Sequence, residues 1–97
     1  MNGYDVRTVI NRNQFLALLY SFNPDLIILD VMVGGDDGRD ICREIKAAGH
    51  RQIPVILYSA NPELLVNYRE CNADDVLNKP FEIKELLEKV RNGLSGL

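Results

Sequence analysis

Leu26–Gly35 reads LIILDVMVGG, an unbroken apolar run that stops at one acidic residue, Asp30, and opens into glycines. The run does not alternate, so it reads as a strand covered on both faces, as in a parallel sheet between helices. A carboxylate at the end of such a strand is costly unless something nearby needs it. The reading of the rest of the chain turns on what that something is.

Outward from this strand, the pattern alternates. Tyr4–Ile10 is rich in β-branched residues and reads as a strand. Asn11 or Asn13 caps a helix with Phe15, Leu18, Leu19 and Phe22 on one face, and Pro24 ends it. Beyond the glycine loop, Asp36 or Asp37 starts a second helix. Its inward face is Ile41, Cys42, Ile45 and Ala48, with Arg39, Arg43, Glu44 and Lys46 outside, and Gly49 closes it. Ile53–Ser59 is a third strand, followed by Asn61 and Pro62 as N-cap and first-turn residue of a less regular helix through Leu64, Leu65, Tyr68 and Cys71. Asp75–Asn78 is a short fourth strand. After Pro80 comes a helix with the stripe Ile83, Leu86, Leu87, Val90 and Leu94.

Four β-α units in succession predict an α/β fold with helices on both faces of a parallel sheet, in one domain over residues 1–97. With 46% hydrophobic residues the chain suits a packed core. A net charge of −3 argues against direct nucleic-acid binding. No apolar stretch approaches a membrane span, and the first ten residues do not read as a signal peptide, so a cytoplasmic protein is expected. Cys42 and Cys71 are expected as semi-buried thiols rather than as a disulfide or a zinc site.

In parallel sheets the working site lies at the carboxyl ends of the strands. Asp30, Ser59 and Lys79 each fall at such an end. Taken singly, Asp30 reads as a turn-capping residue, Ser59 as a turn residue and Lys79 as a solvated lysine. Together, an acid, a hydroxyl and an ammonium at one edge suit phosphoryl transfer, which needs a nucleophile, alignment and positive charge. A nucleotide-binding enzyme is the poorer reading, because no glycine-rich phosphate cradle follows any strand.

PDLIILDVMVGGDDG, PVILYSA and ADDVLNKPF resemble, in order, the phosphoacceptor, hydroxyl and lysine-proline motifs of two-component response regulator receiver domains. The resemblance implies Asp30 as phosphoacceptor, Ser59 as the mobile hydroxyl and Lys79 as the phosphoryl partner. It also implies a cis bond before Pro80, Mg2+ bound by Asp30 and the Met32 carbonyl, and a histidine kinase as partner. It further implies a flavodoxin-like three-layer sandwich with one more strand and helix ahead of MNGYDV, bearing an acidic pair that holds the metal. The chain therefore reads as N-terminally truncated, with four β-α units instead of five, and without that pair. Asp36 and Asp37 are expected to cap a helix instead, and Asp74 and Asp75 to lie at the wrong edge of the sheet.

Phosphorylation is accordingly expected to be weakened or lost. The missing strand would sit between the first two strands of this chain, leaving a gap or a rearranged four-stranded sheet. Apolar surface bared beside the first strand and the final helix predicts a homodimer or strand-exchanged oligomer. Val76 stands where many receivers carry an aromatic switch residue, Gly34 replaces a loop proline, and His50 is expected at the surface. The alternative function is a phosphorylation-independent pseudo-receiver acting as a dimerisation or interaction module.

Overall fold

The computed structural model of the chain describes residues 3–9, 11–21, 24–33, 35–48 and 53–95. Phe22, Gly34, Gly49 and His50 lie outside the described residues, as do the side chains of Leu18 and Leu19. In chain order the elements are β1 (Val6–Val9), α1 (Arg12–Ser21), β2 (Leu26–Asp30), β3 (Met32–Val33), β4 (Asp36–Asp37), α2 (Gly38–Ala47), β5 (Val55–Ser59), two 3-10 turns (Pro62–Leu65 and Tyr68–Cys71), β6 (Asp75–Asn78) and α3 (Ile83–Ser95).

The unalternating run LIILD forms the second strand of a parallel sheet ordered β1-β2-β5-β6. Leu26 through Leu29 are all buried, as a strand sandwiched between helical layers requires. Strand pleating sends alternate side chains to opposite faces. Ile27, Leu29, Val55 and Leu57 join Phe15 of α1, Ile41, Cys42 and Ile45 of α2, and Leu65 and Cys71 of the 3-10 turns in one apolar cluster. Leu26, Ile28, Ile56 and Leu77 face the other way, against Val90 and Leu94 of α3. The result is a flavodoxin-like three-layer α/β sandwich, with α3 on one face and the other helical elements on the opposite one. Burial of each such aliphatic side chain contributes about 1.5–3 kcal/mol before the entropy of ordering is set against it.

β1 pairs directly with β2, in the register Val6↔Leu26 through Val9↔Leu29. Of the two arrangements expected there, the sheet adopts the rearranged four-stranded one, with β1 and β2 hydrogen-bonded directly. The Asp25 carboxylate accepts the Asp5 N–H at 2.8 Å, and the Asp5 carbonyl accepts the Asp25 N–H at 2.8 Å, pinning the lower end of this pair.

Local signals act as their chemistry suggests. Asn11 Oδ1 accepts the Gln14 N–H at 2.8 Å at the start of α1, and Asp37 Oδ1 accepts the Arg39 N–H at 2.9 Å at the start of α2. Asn61 Oδ1 accepts the Glu63 N–H at 3.1 Å, but the following segment forms two 3-10 turns rather than one α-helix. Val66 and Asn67, both poor helix formers, separate the turns, and Asn72 closes the second in the left-handed region with φ 65°.

Four expected positions differ. Lys46, placed outside by its charge, is 4% exposed, because its ammonium finds the Ile53 carbonyl at 2.7 Å and Asp74 Oδ2 at 2.8 Å. Ala48, assigned to the inward face, is exposed past the end of α2. Ile83 is 67% exposed and Leu87 is also exposed. The line of α3 that meets the sheet runs instead through Leu86, Val90, Gly93 and Leu94. Gly93 permits this approach: a Cβ there would lie 2.8 Å from Leu26 Cδ1.

Candidate functional site

The carboxyl edge of the sheet gathers the chemistry. β2 ends at Asp30, β5 at Ser59, and Lys79 follows the end of β6. Asp30 stands opposite Tyr58 in the β2-β5 register, and Ser59 opposite Asn78 in the β5-β6 register. The Lys79 N–H donates to the Ser59 carbonyl at 2.9 Å, which carries the ladder one residue past β6. The Lys79–Pro80 peptide is cis.

Lys79 Nζ lies 3.3 Å from Asp30 Oδ2, with the Asp30 side chain 22% and the Lys79 side chain 39% exposed. The other carboxylate oxygen, Oδ1, accepts the Met32 N–H at 2.9 Å. This Asx-type turn fixes the carboxylate as the chain leaves the strand. It is the capping role that Asp30 suggested when read singly, and it coexists with the ion pair. The opening charge therefore has two partners, an ammonium and an amide, which is why a strand-end carboxylate is tolerated here.

The structure brings Asp30 and Lys79 together but gives Ser59 a different partner. The Ser59 hydroxyl oxygen accepts the Asn61 N–H at 3.0 Å, and the residue is buried. Pleat parity explains the separation: Asp30 and Tyr58 follow the face of Ile28 and Ile56, whereas Ser59 follows that of Leu57. Ser59 is thus at the same edge and one step further along, engaged in the turn that launches the first 3-10 segment.

Two residues of this edge lie within the quoted motifs without an assigned role. Tyr58 lies under the lysine, with Lys79 Nζ 4.2 Å from its ring centroid. Burial, then the Asp30 charge, push the Tyr58 phenol above its ordinary pKa, while Lys79 acts in the opposite sense. Gly38, the first residue of α2, donates its N–H to the Val31 carbonyl at 2.7 Å and abuts the Asp30 carbonyl. A glycine in the first helical turn, directly after two acidic residues, was the available signal.

Of the acids considered as substitutes for a metal-binding pair, Asp37, Asp74 and Asp75 are engaged elsewhere. Asp37 Oδ2 pairs with Arg39 Nη2 at 2.6 Å, and the Arg39 hydrogen bond holds the Asp37 carboxyl below the usual carboxylate range. Asp36 is exposed in the β3-β4 ribbon. Asp74 serves Lys46 and the Val55 N–H, and Asp75 serves Lys89. A hard cation such as Mg2+ is held through oxygen ligands, with carboxylates foremost. Near Asp30 the described residues offer that one carboxylate, already ion-paired, and the Met32 backbone. Among the described residues no group of three Asp, Glu, His or Cys side chains could hold a metal. They do not by themselves make a magnesium cage.

A parallel α/β sandwich with an aspartate and a lysine meeting at its carboxyl edge defines a class of signalling domain. Residues 1–91 match the response regulator receiver domain family, and the chain belongs to it. The receiver domain of NtrX from Brucella abortus superposes with a TM-score of 0.83 at 28% identity, over 97% of this chain and 81% of that one. The signal receiver domain of a signal transduction histidine kinase from Syntrophus aciditrophicus gives a TM-score of 0.79 at 30% identity, over 98% and 92%. The longer NtrX chain from Brucella abortus matches with a TM-score of 0.86 at 23% identity. There the chain covers 96% of its own length but spans only 27% of that protein. Receiver domains of two-component systems interact with histidine kinases and generally bind Mg2+. They are signalling domains rather than typical enzymes.

Proposed function

We propose that this receiver domain accepts a phosphoryl group on Asp30 from a histidine kinase. The observation that carries the reading is the Asp30–Lys79 pair, 3.3 Å apart at the carboxyl edge of the sheet. A carboxylate oxygen of Asp30 attacks the phosphorus of a phosphohistidine. The new P–O bond forms as the P–N bond breaks, and the bonding pair stays on the imidazole nitrogen. The product is an acyl phosphate on Asp30 and a free histidine. Lys79 offsets charge on the equatorial oxygens, where such transition states concentrate it. Ser59, which holds the Asn61 N–H and follows the other face of the sheet, takes part only through a rearrangement of the turn after β5.

One positive side chain against a carboxylate and a phosphoryl dianion leaves a net negative cluster, so transfer is slow with the acids of this chain alone. Intact-mass spectrometry with acetyl phosphate and Mg2+ tests the reading. The expected result is one phosphoryl adduct that is lost in Asp30→Ala and reduced in Lys79→Ala. An adduct that survives Asp30→Ala overturns it.

The occupation of Asp37 by Arg39 favours a second reading, a pseudo-receiver that keeps the fold as a dimerisation or interaction module in the cytoplasm. Exposed Ile83 and Leu87 on α3 suit a homodimer or a strand-exchanged assembly. Light scattering after size exclusion supports this reading if the protein is dimeric and indifferent to phosphodonor, and refutes it if the protein stays monomeric at every concentration.

A further inference from the structure

Tyr58 lies beside the charged pair of the site, inside the PVILYSA motif but with no role assigned to it there. It lies opposite Asp30 in the β2-β5 register and opposite Leu77 in the β5-β6 register. Its side chain packs with the cluster of Ile28, Ile56 and Leu77 beneath α3, which half-buries the ring. The ring is therefore held by its neighbours, while the lysine above it is long, flexible and partly open to solvent.

We infer that Tyr58 is a positioning residue, whose ring holds the Lys79 ammonium beside the Asp30 carboxylate through a cation–π contact. Lys79 Nζ is 4.2 Å from the ring centroid and 3.3 Å from Asp30 Oδ2, so a single ammonium position satisfies both. A ring face attracts a cation without taking up an N–H donor. The ammonium thus remains available to carboxylate and phosphoryl oxygens. A hydrogen-bonding partner in the same place would compete with them. Ser59, next in sequence, follows the opposite face of the sheet and binds the Asn61 N–H, so it does not contend for this space. The functional consequence rests on the phosphoacceptor reading of Asp30: the lysine is already in place when the phosphoryl group arrives.

The test uses the full chain and two readouts. In proton–carbon NMR, the ε-methylene protons of Lys79 are expected upfield of those of exposed Lys84, with a nuclear Overhauser effect to the Tyr58 ring. Tyr58→Phe keeps both signals, because the ring face remains, and Tyr58→Leu loses both. Phosphoryl uptake from acetyl phosphate is expected to slow about three- to tenfold in Tyr58→Leu and to return to the parent rate in Tyr58→Phe. Absence of the ring shift in the parent protein overturns the inference, as does parent-rate uptake in Tyr58→Leu. If Tyr58→Leu does not fold, the parent spectrum and that of Tyr58→Phe decide. A parent protein that shows the ring shift but takes no phosphoryl group retains the positioned lysine and refutes the phosphoacceptor reading instead.

Discussion

Replacing Gly38 by alanine tests the closest backbone approach at the site. A Cβ on Gly38 would lie 2.1 Å from the Asp30 carbonyl oxygen, 2.9 Å from its carbonyl carbon and 3.0 Å from Val31 Cα. Ordinary contact begins at 3.4 Å, and every atom met is backbone, so no side chain can swing aside. The start of α2 must retreat from the end of β2, stretching the 2.7 Å bond from the Gly38 N–H to the Val31 carbonyl. Overpacking of this kind costs about 1–3 kcal/mol. A weakened backbone hydrogen bond adds roughly 0.5–1.5 kcal/mol. The better helix propensity of alanine returns at most about 1 kcal/mol. The net loss is about 2–3 kcal/mol, which in urea lowers the midpoint by about 1–2 M at an ordinary m-value. Gly93→Ala is the control, since its Cβ would meet mainly the movable Leu26 Cδ1 at 2.8 Å while gaining helix propensity, and it should shift stability by less than about 1 kcal/mol. If Gly38→Ala unfolds at the parent midpoint, the close packing of α2 on the Asp30 carbonyl is not a constraint on this fold.

Asp74→Ala removes a carboxylate oxygen shared by Lys46 Nζ and the Val55 N–H, each at 2.8 Å. Because the Asp74 side chain is 49% exposed, the loss should be nearer about 2 kcal/mol than the larger cost of a fully buried pair, read by urea denaturation. Asp37→Ala should cost about 1 kcal/mol at neutral pH through the lost N-cap of α2. The Asp37 carboxyl titrates below its ordinary 3.8, so this contribution is present above that pH and lost as pH falls through the folded value. The variant and the parent should therefore converge in stability in strong acid. Burial, then Cys71, push the Cys42 thiol from 9.0 to about 12. The unfolded chain loses that proton first, so stability should fall by up to about 1.4 kcal/mol per pH unit between those values. Cys42→Ala should flatten this part of the alkaline profile, and an unchanged slope would show that the thiol does not contribute.

Much of this protein was written locally. The unalternating LIILD run is a strand because four consecutive apolar side chains cannot all be hidden on one face, which forces helices onto both sides of a parallel sheet. The order of strands and helices then brought Asp30, Ser59 and Lys79 to the same edge, since parallel strands all end on one side. Asparagine and aspartate caps acted as their short polar side chains dictate.

Tertiary structure decided which groups meet. Pleat parity and register put Tyr58, not Ser59, beside the Asp30–Lys79 pair, and register is a property of two strands that neither segment states alone. Lys46 is buried because an acceptor 28 positions away in the chain, Asp74, folds back to meet it, and charge alone pointed outward. The close approach of α2 to the sheet selected Gly38, and the packing of α3 turned Ile83 toward solvent. Local sequence sets the period and the ends of each element, whereas contacts between distant segments depend on packing distances that exist only once the layers have closed.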